Sequence, residues 1–258
     1  MFAVISDIHS NLEALTTVLA DIEKRGIKTI YCLGDVVGYG ANPNECLDLI
    51  IEKTELGIIG NHDYAVLYEP TNFNAGAEQA CYWTRASIEQ GTDNAKVSKR
   101  WDYLGSLKMR QTFEAKLDGV NTHISLVHAS PRKPINEYVF PDDVYTMPSK
   151  MLGIFEHLKH ICFIGHTHLP GVFLEDPDFY TPEELGEYYP IESDEKAIIN
   201  VGSVGQPRDR DNRASYAYVD GSKVYFVRVE YDYATAAKKI FEVKELEDFE
   251  GNRLAEGK

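Results

Sequence analysis

Five of the chain's eight histidines, with Asp7, Asp35 and Asn61, fall directly after short apolar runs. They stand as Asp7-Ile8-His9, Gly34-Asp35, Gly60-Asn61-His62-Asp63, His128 and Gly165-His166-Thr167-His168. Carboxylate, amide and imidazole groups without cysteine suit Mn²⁺, Fe²⁺, Zn²⁺ or a related ion rather than a thiolate centre. Asp35 is the focus, because one carboxylate has two oxygens and can engage two cations. Asp7 and His9, two residues apart, can aim at one point, and the alternate imidazoles His166 and His168 can serve adjacent ions. Each motif alone has a plainer explanation: a capping or turn aspartate, a solvated histidine, an asparagine in a left-handed turn. Their recurrence at one strand end after another argues for a common site.

The elements that must position these residues alternate strand and helix. Phe2–Ser6 is a short buried strand, and Leu12, Leu15, Val18, Leu19 and Ile22 recur at helical spacing, with Gly26 as the stop. Lys28–Leu33 is a second strand, so the opening is a βαβ unit with a right-handed crossover. Asp7 and Asp35 then leave neighbouring parallel strands at the edge where open α/β sheets bind ligands. Pro43–Lys53 predicts a helix with proline in its first turn, and Leu56–Ile59 a third strand. Residues 64–105 predict a peripheral helical insertion whose aromatics (Tyr82, Trp83, Trp101, Tyr103) serve packing. Strands are expected at Lys108–Lys116 and Asn121–Val127. On the latter, His123 lies an odd five residues before His128 and faces away from its direction.

Pro131–Pro148 is a proline-punctuated loop of functional length. A helix at Ser149–Leu158 and a strand at His160–Ile164 lead into the Gly165–His168 turn. A strand at Gly171–Leu174 precedes an acidic, tyrosine-rich surface insertion over 175–194. The strand Ala197–Asn200 leads into a glycine-containing turn that ends in Arg208, a candidate phosphate clamp. Ser215–Val219 and Val224–Val229 predict a meander completing a second sheet. Tyr233–Glu245 predicts an amphipathic helix and Leu246–Lys258 a frayed tail. With no repeat or linker, one domain over residues 1–258 is expected.

The 43% hydrophobic content allows a large core, and the net charge of −15 argues against nucleic acid or an anionic membrane as partner. A metal centre can nonetheless reverse the local field for a small phosphorylated substrate. The four cysteines lack CxxC spacing and read as buried thiols. No leader or membrane-length apolar run is seen, so a cytoplasmic location is expected.

The ordered set Asp7-Ile8-His9, Gly34–Gly38, Gly60–Asp63, His128 and Gly165–His168 resembles the calcineurin-like metallophosphoesterases. The stretch from Asn200 to Arg208 is similar to their small prokaryotic phosphodiesterase and diadenosine-tetraphosphatase-like branch, although Ala129 stands where that branch often has glycine. The resemblance implies an α/β fold, a four-layer α/β/β/α sandwich with two central mixed sheets. It also implies two divalent ions (Mn, Fe, Zn, Ni or Co), with Mn the best support for activity. Asp7, His9 and His168 would hold one ion, Asn61, His128 and His166 the other, and Asp35 both. Two ions at +4 against two aspartates and a bridging hydroxide leave about +1 for a phosphoryl anion. The implied activity is hydrolysis of a phosphodiester or phosphoanhydride by attack of that hydroxide. His62 would act on the leaving group, oriented by Asp63, with Arg208, Arg132, Lys133 and Tyr138 on the substrate side. A phosphomonoesterase, a protein phosphatase and a non-catalytic scaffold are the alternatives on the same fold.

Overall fold

Strand alternation decides which residues of the first strand meet which layer. In the computed structural model, which describes residues 1–258, β1 (Phe2–Ile5) is buried along its whole length. Phe2 and Val4 enter a core between two sheets, whereas Ala3 and Ile5 face helices on the outer side. The crossover helix α1 (Leu12–Lys24) buries Ala14, Leu15, Val18 and Ile22, and Asn11 caps it by accepting the Ala14 N–H at 3.1 Å. β2 (Thr29–Cys32) runs parallel to β1, from Phe2 opposite Thr29 to Ile5 opposite Cys32. Asp7 and Asp35 therefore emerge side by side, as the βαβ pattern predicts.

After α2 (Pro43–Lys53) and β3 (Leu56–Gly57), three helices follow: α3 (Asn61–Leu67), α4 (Ala75–Glu89) and α5 (Asn94–Ser106). Cys81, Ile88 and Leu104 from α4 and α5 join the α1–α2 core, with Trp101 and Tyr103 packed against it. β4 (Arg110–Leu117) and β5 (Val120–Val127) form a hairpin. His123 points outward there and pairs with Glu114 at 2.7 Å. Beyond them come α6 (Asp143–Thr146), α7 (Pro148–Phe155), β6 (Ile161–Ile164), β7 (Gly171–Leu174), β8 (Asp178–Tyr180), α8 (Pro182–Leu185), β9 (Tyr189–Pro190) and β10 (Ala197–Asn200). The chain finishes through β11 (Ala214–Asp220), β12 (Lys223–Val229), α9 (Tyr233–Phe241) and α10 (Asp248–Glu256).

The strands form two six-stranded sheets, ordered β3-β2-β1-β11-β12-β9 and β4-β5-β6-β10-β7-β8. Both mix parallel and antiparallel neighbours. Phe2, Val4, Ala217 and Val219 of the first sheet meet Ile124, Leu126, Phe163 and Ile199 of the second. The outer face of the second sheet (Val127, Cys162, Ile164, Ile198) packs on Met151, Ile154 and Phe155 of α7. This is the expected α/β/β/α layering. No helix is long and apolar enough to cross a membrane.

Three expectations are corrected. The β11–β12 meander joins the first sheet, antiparallel to β1, because the preceding turn is tied across to that strand by Val204 N–H to Ser6 O at 2.9 Å. Alternation marks these residues as strands but carries no information on which sheet they enter. The 175–194 excursion is more than surface: β8 edges the second sheet, β9 edges the first, and Tyr189 and Ile191 are buried between the sheets. The C-terminal tail is a packed helix. Leu246 and Leu254 form a small core with Ala80, Ala236, Ala237 and Ile240.

Candidate active site

All seven candidate ligands converge where the first two strands of one sheet and the parallel strands of the other end. Asp7, His9, Asp35, His166 and His168 adopt φ between 47° and 66°, the left-handed region. Such conformations cost of order 1 kcal/mol or more each and persist only where surroundings over-determine them. Here the surroundings are interlocking turns. Ile8 and His9 N–H groups both donate to Asp35 O, at 2.9 and 3.0 Å, and Asp7 N–H donates to Gly34 O at 3.0 Å. Two glycines are explained by close approach: a Cβ on Gly60 would collide with the Asp35 carboxylate, and one on Gly165 with Asp7 Oδ2. Asn200 holds the histidine turn from behind, donating to Gly165 O at 2.9 Å and Thr167 Oγ1 at 2.7 Å.

The side chains point inward in two groups that share a centre. Asp7, His9 and His168 form one cluster and Asp35, His128 and His166 another, with ligand atoms within 4.8 Å of one another in each, and His9, Asp35 and His62 form a third that links them. Asn61, on the first turn of α3, places Oδ1 3.0 Å from His128 Nε2. Three imidazoles have their outer nitrogen occupied by a backbone carbonyl: His9 by Val37, His128 by Leu33 and His168 by Gln206. These contacts fix the rings and turn Nε2 toward the centre, the usual support of a metal-ligating histidine.

The donor set fits divalent metal ions and is poorly satisfied without them. His9 Nε2 and His168 Nε2 face each other at 3.2 Å, as do His128 Nε2 and His166 Nδ1. Asp7 Oδ1 and His166 Nε2 are buried with no hydrogen-bond partner, although His168 Nε2 lies 3.2 Å from that oxygen. Opposed ring nitrogens and orphaned acceptors in a buried site are costly unless a cation lies between them. Burial opposes charge on both aspartates, but His168 and His128 outweigh it at Asp7, and His128 and His62 at Asp35, so both carboxylates sit below their ordinary range. Burial likewise pushes His166 down to about 3 and His62 down to about 4. At His128 burial is overcome by Asp35, Asp7 and the Leu33 carbonyl, which raise it to about 9.

His62 belongs to the centre; Asp63 does not act on it. The His62 ring packs between Tyr39 (4.4 Å between centroids) and Phe73 (4.8 Å), and 4.9 Å from His9. Asp63 instead accepts the N–H groups of Val36 at 2.9 Å, Val37 at 3.3 Å and Gly60 at 3.1 Å. Successive helical residues point to different sides, so Asp63 clamps the Asp35 turn to the start of α3. Burial and the neighbouring Asp35 raise its carboxyl to about 7.

On the substrate side, Tyr138 stacks on His166 at 4.2 Å and 27° between ring planes. A cavity of about 640 Å³ opens there, walled by Tyr39, His62, Phe73, Lys133, Tyr138 and His166. Arg132 is not part of it: its guanidinium is taken by Glu137, which Ser130 also engages. Arg208 lies on the other flank, its guanidinium carbon 5.9 Å from the centre of the Tyr39 ring. Tyr39 went unmarked in the sequence, since a tyrosine between Gly38 and Gly40 reads as turn filler. Its only signal is that an aromatic sits inside a ligand-bearing loop.

A model of the calcineurin-like phosphoesterase superfamily domain matches residues 1–223. An uncharacterized protein of Methanocaldococcus jannaschii is 44% identical over 263 residues, covering 100% of this chain and 98% of its own. The crystal structure of a metallophosphoesterase from Sphaerobacter thermophilus superposes with a TM-score of 0.79 at 35% identity, covering 100% of this chain and 98% of that one. A hypothetical protein from Pyrococcus horikoshii shares the fold, with a TM-score of 0.74 at 20% identity over 100% of this chain and 99% of that one.

Proposed function

Given that the chain belongs to the calcineurin-like phosphoesterase superfamily and is a metal-binding phosphoester hydrolase, we propose that it cleaves a phosphodiester or phosphoanhydride bond of a small nucleotide-like substrate. The observation that carries this is the convergence of seven buried or half-buried oxygen and nitrogen donors into two clusters, with the Asp35 carboxylate 3.8 Å from His9 of one and 3.3 Å from His128 of the other. Asp7, His9 and His168 would hold one divalent ion and Asn61, His128 and His166 a second, with Asp35 shared between the two sets. When bound, such a pair acidifies a water, neutralises phosphoryl charge and orients the ester. Mn²⁺ is the ion expected to support activity best.

The chain's own groups do the rest. The carbonyls of Val37, Leu33 and Gln206 keep three imidazoles in the orientation that presents Nε2 inward. His62, held neutral by burial, keeps one ring N–H to donate to the leaving oxygen. Arg208 offers its guanidinium to non-bridging phosphate oxygens. The cavity beside Tyr138 and Phe73 has room for an aromatic leaving group, which favours a diester or dinucleotide over a bare phosphate. The four cysteines are all buried and unpaired, in keeping with a cytoplasmic setting.

Hydrolysis of bis-p-nitrophenyl phosphate by metal-stripped protein, with and without Mn²⁺, tests the proposal. Mn²⁺-dependent release of p-nitrophenol is expected, faster than from p-nitrophenyl phosphate. Release from the monoester alone would make the enzyme a phosphomonoesterase and discard the diester assignment.

A further inference from the structure

Gln206 joins the metal side of the site to the substrate side. Its carbonyl accepts from His168 Nδ1, and its N–H donates to Ser203 Oγ at 2.8 Å. Its buried side chain lies between two charged groups. Arg208 Nη2 donates to Gln206 Oε1 at 2.6 Å, and Gln206 Nε2 donates to Glu250 Oε2 at 2.9 Å. An arginine can only donate, so the amide oxygen must face Arg208 and the amide nitrogen needs an acceptor opposite. Glu250, 5% exposed on α10, is that acceptor. Arg253, on the next turn of α10, lies 3.5 Å from the same carboxylate oxygen and balances its charge. Arg208 Nε is buried without a partner, a donor left unsatisfied until an acceptor arrives. Glu250 and Arg253 both lie beyond residue 223, where the family match ends.

We infer that α10 is a working part of the active site: Glu250 is a positioning residue that, through Gln206, fixes the Arg208 guanidinium for the non-bridging oxygens of the substrate phosphate. This rests on the proposed phosphoesterase function and on Arg208 as its anion clamp. Without the carboxylate, the Gln206 amide is held from one end only, by Arg208. Turned over, it would present N–H groups to a donor and push Arg208 out of place. Docking of α10 does not require Glu250, because Leu246 and Leu254 already anchor this end of the chain.

The test is a double-mutant cycle in the full-length, Mn²⁺-loaded protein: Arg208→Ala, Glu250→Met and both together. KM and kcat for the diester, and the Kd for inorganic phosphate by titration calorimetry, are read beside thermal melting. Arg208→Ala is expected to raise KM and phosphate Kd about 10- to 100-fold, as loss of a charge-assisted contact does. Glu250→Met, which leaves no acceptor for the Gln206 amide, should raise both with kcat nearly unchanged, and the double variant should be no worse than Arg208→Ala alone. If Glu250→Met folds poorly, Gln206→Met, which leaves α10 intact, must reproduce the KM effect. Additive losses, or a Glu250→Met effect on melting alone while Arg208→Ala weakens phosphate, would leave the clamp standing and remove Glu250 from the site. An unchanged phosphate Kd in Arg208→Ala, or no phosphate binding by the wild type, would remove the clamp and this inference with it.

Discussion

On the side of the site that holds metal ligands, Asp7, His9, Asp35, His128, His166 and His168 are each at most 4% exposed, and five of the six sit in left-handed backbone. On the facing side, Tyr138 and Phe140 are 47% and 44% exposed on a proline-punctuated loop, and they stack on each other with ring planes 2° apart. The first wall is backbone geometry locked by interleaved turns; the second is side-chain surface laid over it. A site built this way fixes its reaction in the scaffold and leaves substrate choice to groups that can change without disturbing it.

Asp35→Asn should break the contrast most severely. It removes the carboxylate that lies 3.8 Å from His9 Nε2 in one cluster and 3.3 Å from His128 Nε2 in the other, so bound metal measured by elemental analysis should fall. The loss in kcat should exceed the roughly 10²–10³-fold that one missing transition-state donor costs. His62→Asn is expected to retain both ions yet lose about 10²-fold in turnover of diesters with poor leaving groups. Its effect on p-nitrophenyl esters should be small, and unchanged turnover of a poor leaving group would exclude His62 as donor. Tyr138→Ala, on the second wall, should raise KM for aromatic diesters by about tenfold, the value of one stacked contact, with kcat and metal content unaltered. The smallest effect lies outside both walls, where Arg100 of α5 grips Asp48 of α2 with two contacts of 2.8 Å. Those hydrogen bonds hold the Asp48 carboxyl below its ordinary value against a smaller opposing effect of burial. A depressed carboxylate stabilises above the unfolded pKa of about 3.9 and loses that contribution as pH falls through the folded one. Asp48→Asn should therefore cost up to about 1 kcal/mol in urea melts at pH 7 and nothing measurable near pH 2.

The same contrast separates what the sequence discloses from what it hides. The metal wall was legible because each ligand follows an apolar strand, and a βαβ unit places such strand ends together without any knowledge of long-range contacts. The second wall depends on partners that proximity in sequence does not reveal. Arg132 is held by Glu137, and Asp63, although adjacent to His62 in sequence, accepts from the backbone of Val36, Val37 and Gly60. Tyr39 was concealed by its flanking glycines. The α10 helix, with Asp248, Glu250 and Glu256 among its nine residues, reads as solvated until Gly251 lets Phe241 lie against it and Leu254 finds its pocket. The sheet assignment of β11 failed for the same reason, since strand pairing is a tertiary choice.

The crossing from β10 back to β1 sets a schedule for the newborn chain. Gly205 N–H and Ser203 Oγ both bond to Asp7 O, at 2.9 and 2.8 Å, so one of the first ligands to leave the ribosome is braced by one of the last loops to do so. His9, Asp35 and His62 are translated early, but His168 and the carbonyl of Gln206 that aims it come far later. The full donor set therefore exists only once the chain has been made through Gln206, which brings His166 and His168 of the second sheet to Asp7 and Asp35 of the first. Ions bound across both sheets would then add their binding free energy to the stability of the finished fold.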